Sequence, residues 1–298
     1  MTRIDRRHFA SGLALAGAAL AAGATHGAAE AAAASGAPPA TGAAARRDAR
    51  PGAIDAPANL HRVYRRVRFA GDERIVFWWM RGRRYGFVDT VLTPFFDMHV
   101  GSMHRCRDLG DGRYEVRSAS AMYHTDLAGG GLLEDWANPV TGRTVKFAYP
   151  APTVVITTYS YADGVQDGPS PPGTKTERRH ALAPLELVGE DAWLREESWL
   201  VVQYAASGRS QRVHDLHTFA SPVAALRDAA RAFVPASVHF NDYNGWSPRF
   251  EMGDAPGASV ARCSGRKVAT VDELPEAYLR IARRLHGEAF RDPARTLG

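Results

Sequence analysis

Between residues 61 and 219 the chain reads as a series of short β-branched and aromatic runs broken by turn residues. The pattern predicts strands at 61–69, 74–80, 85–92, 98–107 and 113–124. Within the last of these, Tyr114, Val116, Ser118, Ser120 and Met122 alternate with Glu115, Arg117, Ala119, Ala121 and Tyr123, as a strand with one buried face requires. Further runs at 143–149, 153–161, 176–182, 185–188, 192–205 and 211–219 continue the series. Gly71-Asp72, Gly110-Asp111-Gly112 and Ser207-Gly208 mark the tight turns, and the Gly/Pro-rich stretch 163–173 reads as a surface loop.

Two segments carry helical signals instead. Ser221-Pro222 supplies an N-cap and a first-turn proline for a helix over 223–233. Residues 272–290 place Leu274, Tyr278, Ile281 and Leu285 on one face, with arginines opposite. Strands in succession followed by a closing helix argue against alternating βαβ units. The predicted fold is mainly β, in the α+β class: an antiparallel β-barrel or strongly curved sheet, lipocalin-like, with one or two covering helices.

The N-terminus has a different character. Arg6-Arg7 precedes Phe9 and a weakly apolar Ala/Gly-rich stretch, the pattern of a twin-arginine export signal over residues 1–28. Residues 29–54 are Ala/Gly/Pro-rich and read as a linker, which leaves a single β-rich domain over 55–291. The expected location is periplasmic or secreted, with no stable membrane insertion once the signal is removed.

Charge changes little in this picture. The chain carries 37 Lys and Arg against 32 Asp and Glu, a net +5 that falls to +3 when the signal is removed. No basic cluster is interleaved with aromatics, so a nucleic-acid partner is not expected. Cys106 and Cys263 are too few for a disulfide scaffold; they are either one long-range bridge or two buried thiols. A homo-oligomer is left open.

Three segments carry a family resemblance. They are Trp136-Ala137-Asn138-Pro139-Val140-Thr141-Gly142, the strand from Gly112-Arg113-Tyr114 to Tyr123, and Trp246-Ser247-Pro248-Arg249-Phe250-Glu251-Met252-Gly253. Pro256-Gly257, Gly265-Arg266-Lys267 and Glu273-Leu274-Pro275 follow the third. Together they resemble the bacterial and fungal proteins known as domain of unknown function 1838. The likeness departs at Asp126-Leu127-Ala128-Gly129-Gly130-Gly131, where the family shows a D-x-x-T-G-E stretch. It implies a common fold and brings no reaction with it.

No G-x-S-x-G elbow, H-E-x-x-H pair or phosphate-cradling loop is present. Candidate chemistry therefore rests on individual polar residues. His99 and His104 are candidate bases, although five residues apart they face opposite sides of a regular strand unless a bulge at Gly101 realigns them. Tyr123 is a candidate acid and Arg105 a candidate anion anchor. Of the neighbours Glu196 and Glu197 one must face inward, and Glu197 is taken as the pocket carboxylate. Trp79, Trp136, Tyr149 and Trp246 are candidate substrate-binding aromatics. His214 and His217 diverge on a strand, so a metal site built from them with His239 is the alternative rather than the leading set.

The function read from these residues is an exported barrel that binds a small apolar, aromatic or polycyclic molecule. It would act without a cofactor by proton transfer, as a lyase or isomerase. A non-catalytic carrier and a metal-dependent oxidoreductase are the alternatives.

Overall fold

The computed structural model describes residues 53–298 apart from 165, 169, 171 and 172. The export signal over 1–28 and nearly all of the linker over 29–54 lie outside the described residues. Among the described residues no helix is long and apolar enough to cross a membrane.

The architecture is an antiparallel sheet of eleven strands, strongly curled into a half-barrel. In chain order its strands are β1 (Ile75–Val88), β2 (Val91–Asp108), β3 (Arg113–Thr125), β6 (Val155–Ser160), β7 (Gln166–Asp167), β8 (Thr174–Leu182), β9 (Glu186–Val188), β10 (Asp191–Tyr204), β11 (Ser210–Pro222), β12 (Ser237–Gly245) and β13 (Ala258–Val268). A separate hairpin is formed by β4 (Asp135–Ala137) and β5 (Thr144–Lys146). Across the sheet the order is β7-β6-β3-β2-β1-β13-β12-β11-β10-β8, with β9 also on β10. The lipocalin-like expectation agrees with this.

Residues 61–69, expected as a strand, are instead the helix α1 (Leu60–Arg68). Its β-branched and aromatic content misleads. The buried positions Val63, Tyr64, Val67 and Arg68 follow a helical stripe, not an alternation. The Tyr64 ring lies 6.1 Å from Tyr159 on β6 and 5.8 Å from His180 on β8, strands near opposite ends of the sheet. Only a helix inside the curl can touch both. Its C-terminal carbonyls, which lack partners within the helix, are satisfied by the sheet. Lys267 Nζ donates to the carbonyls of Arg66, Val67 and Phe69 at 2.7, 2.6 and 2.9 Å, and Trp78 Nε1 donates to that of Arg68 at 2.7 Å.

Three further boundaries differ from the sequence reading. The expected strand over 85–92 is cut by a turn at Asp89-Thr90, both with positive φ (48° and 70°), which joins β1 to β2 as a tight hairpin. The helix after Pro222 stops early, as α2 (Val223–Arg227). The Arg66 guanidinium takes the carbonyls of Ala225, Leu226, Asp228 and Arg231, so a longer helix has lost its acceptors to a side chain. The last long helix, α3 (Glu276–Arg291), begins only after Pro275, because a capping box between Thr270 and Glu273 first closes a single 3-10 turn.

β12 and β13 were not among the expected strands. β12 alternates strictly, with Val238, Phe240, Asp242 and Asn244 buried, but its Asn and Asp residues are poor strand formers. The register across the curl is continuous except for a shift at Arg84/Tyr85.

The sheet buries apolar groups on both faces. The concave face packs Trp78, Met80, Phe96, Met98, Leu194, Phe219 and Phe240 with α1. The convex face of β1, β2, β3 and β13 packs Phe77, Met103, Ala119, Ala121 and Tyr123 beneath α3 and the short C-terminal helix α4 (Pro293–Leu297). Gly101 is required here: a Cβ at this position would meet the Tyr278 ring and hydroxyl at 2.2 Å.

Candidate functional site on the concave face

Strand alternation decides which polar side chains enter the curl. On β10, Leu194, Glu196 and Ser198 face inward and Glu197 outward; on β11, Asp215, His217 and Phe219 face inward. Register then pairs Glu196 with His217 and Asp215 with Asp242. Two adjacent rows of buried polar groups result.

Glu196 is the hub of the first row. Its Oε1 accepts hydrogen bonds from Tyr64 Oη and His180 Nε2, each at 2.9 Å, and its Oε2 accepts one from Arg68. His217 Nδ1 faces the same Oε2 at 3.8 Å. Burial alone would push the carboxyl up, but Arg68, then His180 and His217, outweigh it and hold Glu196 well below the usual carboxylate range. His217 is stacked on Phe219 with ring planes 4° apart and lies 4.8 Å from Phe240. Burial pushes its imidazole down to about 3, against the raising effect of Glu196. Neither of its ring nitrogens makes a hydrogen bond.

The second row centres on Asp242, whose Oδ1 accepts from Arg84 at 2.7 Å and from the Ala261 amide at 2.6 Å. Beside it, Asp215 is pushed well above the usual range, first by burial and then by the Asp242 charge. Its Oδ2 has no hydrogen-bond partner. His124 lies further along, among Phe96, Phe147 and Tyr149, with neither nitrogen bonded.

Buried polar groups are normally paired, since stripping one of water without a partner costs roughly 1–3 kcal/mol. Here Arg84 Nε, His124, Arg178 Nε, Asp215 Oδ2, His217 and Ser221 Oγ are buried and unpartnered, and strand alternation places all of them on the concave side. That concentration marks the concave face as the candidate site.

The residues singled out from sequence divide across the sheet. His104 is on the concave side, but its two nitrogens are engaged by Ser118 and Ser102 at 2.7 and 2.8 Å, which leaves none free. His99 is on the convex side, 6.5 Å from the Trp79 ring; no bulge at Gly101 brings it round. Tyr123 is convex too, bonded at 2.8 Å to Nδ1 of His286 beneath α3. Glu197 points outward and Glu196 is the buried carboxylate, because alternation admits only one of the two. Arg105 lies 3.8 Å from Glu73, away from the concave groups.

Among the aromatics, Trp136, Tyr149 and Trp246 are brought to one end of the concave face, around Phe95 and His124, while Trp79 is on the other side. His214 stacks on Trp199 on the outer surface, and His239 bonds Ser264 there, so neither converges with His217. Among the described residues no group of three or more His, Cys, Asp or Glu is placed to hold a metal ion. Cys106 and Cys263 are separate buried thiols, both pushed up to about 12 by burial. Asp242 escaped sequence reasoning because β12 did, whereas Asp215 lies on an expected strand between His214 and His217, and Arg84 falls in the gap between the strands expected at 74–80 and 85–92.

A family profile described as a protein of unknown function, DUF1838, matches residues 72–286. The chain belongs to the DUF1838 family. No curated protein matches it. The segments behind the resemblance meet in space in this DUF1838 chain. Asn138 Nδ2 donates to the Phe250 carbonyl at 2.9 Å, and Trp136 packs on the Phe250 ring. The DUF1838 motifs thus close one end of the concave face.

Proposed function

We propose that this chain binds a small, largely apolar, aromatic or polycyclic molecule on the concave face and transforms it by proton transfer, without a cofactor. The observation that carries the reading is the juxtaposition of Asp215 and His217. Two residues apart on one strand face, they have environments that favour opposite roles: a carboxyl that keeps its proton and an imidazole that stays neutral. With Nδ1–H directed at Glu196, the Nε2 lone pair of His217 is the base. His217 takes a proton from carbon while Asp215 gives one to an adjacent carbonyl oxygen, which leaves the enol. Reprotonation at a different carbon completes an isomerisation, and expulsion of a β-substituent completes an elimination. The imidazolium formed in the step is stabilised by the Glu196 carboxylate, which raises His217 against the effect of burial. Phe219, Phe240 and Trp78 supply the apolar walls.

The twin-arginine pattern supports an exported setting for this chemistry. A carrier needs the walls but no acid–base pair. The test is to recover the organic molecule that co-purifies with the chain and return it to ligand-free protein in D2O. Deuterium incorporation or conversion, lost in D215N and H217Q while binding persists, is the expected result. A molecule that binds and is recovered unlabelled and unchanged makes the protein a carrier.

A further inference from the structure

Arg249 has no role in the acid–base pair, yet two of the three family segments hold it in place. It sits in the 3-10 turn Pro248–Phe250, closed by Glu251 in the left-handed region (φ 52°). Asn138 clamps the turn through the Phe250 carbonyl at 2.9 Å and Met252 Sδ at 3.3 Å. The Phe250 ring is wedged among Phe95, Phe96 and Trp136 at 5.8–6.3 Å. Trp246 Nε1, at the start of the segment, donates to the Ala255 carbonyl at 2.9 Å.

The side chain carried on this support is unanswered. The Arg249 guanidinium lies over the Phe250 ring at 5.1 Å, and its Nε is buried without a hydrogen-bond partner. No carboxylate among the described residues pairs with it. Asp242 is committed to Arg84, and Asp254 is exposed and faces Arg209 at 3.5 Å. Glu251 is exposed. The phenol of Tyr204 is turned to Gln211 and that of Tyr149 to the Leu133 carbonyl. Arg249 lies within electrostatic reach of Arg84, Asp242, His124, Tyr149 and Tyr204, at the end of the concave face that Trp136 and Phe250 close. Charge there is unbalanced: two guanidiniums face the single committed carboxylate of Asp242. Arg249 is half-buried, with no carboxylate partner and a buried Nε left unbonded, and a planar guanidinium recognises a carboxylate with two parallel hydrogen bonds.

We propose that Arg249 pairs with a carboxylate on the ligand, so that the substrates of the concave site are small apolar acids rather than neutral molecules. This rests on the reading of the concave face as the ligand site. The two stand or fall separately in one titration series with 2-naphthoate and its neutral counterpart 2-naphthol, followed by calorimetry at pH 7. Wild-type protein is expected to bind naphthoate at least tenfold more tightly than naphthol. R249M is expected to abolish the difference and leave naphthol affinity unchanged, with R249K retaining part of the preference. The unchanged naphthol affinity also shows that R249M is folded. Equal binding of the two probes by the wild type, or a naphthoate preference that survives R249M, overturns the assignment to Arg249 and leaves the site reading intact. Binding of neither probe overturns both.

Discussion

Tyr64 and Glu196, 132 residues apart in sequence, are joined by a 2.9 Å hydrogen bond inside the curled sheet. With Arg68 on the same carboxylate, it fixes α1 inside the curl to β10. The polar row that includes His217 therefore depends on a single buried acid, and its removal is the most severe test of the packing.

E196Q leaves Arg68 buried without its charge partner. Breaking a buried pair from one side costs about 3–5 kcal/mol. Urea unfolding is expected to show a loss of that order, and the double variant R68M/E196L is expected to lose less than the two single changes combined. Strict additivity contradicts the pairing.

Acid should unfold the protein through its buried imidazoles. Burial pushes His217 and His104 down to about 3 in the fold, whereas a free imidazole titrates near 6.5. Between these values the unfolded chain takes up protons that the folded chain refuses. Their contribution to stability is therefore complete above about pH 6.5 and is lost as pH falls toward 3. Glu196, held low, loses its contribution in the same direction below the ordinary carboxylate range. Urea midpoints measured from pH 7 to pH 4 should fall, and H217F should flatten the slope.

Asp215 works with the opposite sign. Its carboxyl is raised in the fold, so the stability it contributes is complete below its unfolded value of about 3.9 and is lost as pH rises through the folded value. D215N cannot ionise. Relative to wild type it should gain stability as pH is raised from 5 to 9, and a constant difference over that range would show that Asp215 is ionised throughout.

G101A tests the convex packing. The added methyl meets Tyr278 at 2.2 Å, so α3 or the ring must move, at a cost of about 1–3 kcal/mol. A lowered Tm is expected, and G101A/Y278F should recover part of it by removing the nearest hydroxyl.

Alternation made most strands legible in the sequence, and turn chemistry placed the hairpins at Gly110–Gly112 and Ser207-Gly208. α1 was not legible, because Val63, Tyr64 and Val67 suit a strand as well as a helix and only the enclosing sheet selects between them. β12 was hidden by Asn241, Asp242 and Asn244, residues that weaken a strand, although Asp242 and Asn244 are buried in this one. The site was half legible for the same reason. Parity along β10 required one of Glu196 and Glu197 to enter the curl without saying which, and parity along β2 correctly separated His99 from His104. What no local pattern contains is the cross-strand register that sets His217 beside Glu196 and Asp215 beside Asp242.

The proposed chemistry needs the concave polar rows to form a ligand site around a neutral His217. Nitrogen-15 NMR of histidine-labelled protein tests it most directly, with the His217 resonances assigned by H217Q and followed with pH and with added 2-naphthol. The imidazole is expected to stay neutral down to about pH 4, with ring nitrogens that shift on addition of the probe. A His217 that titrates near 6.5, or one that is indifferent to the probe, contradicts it.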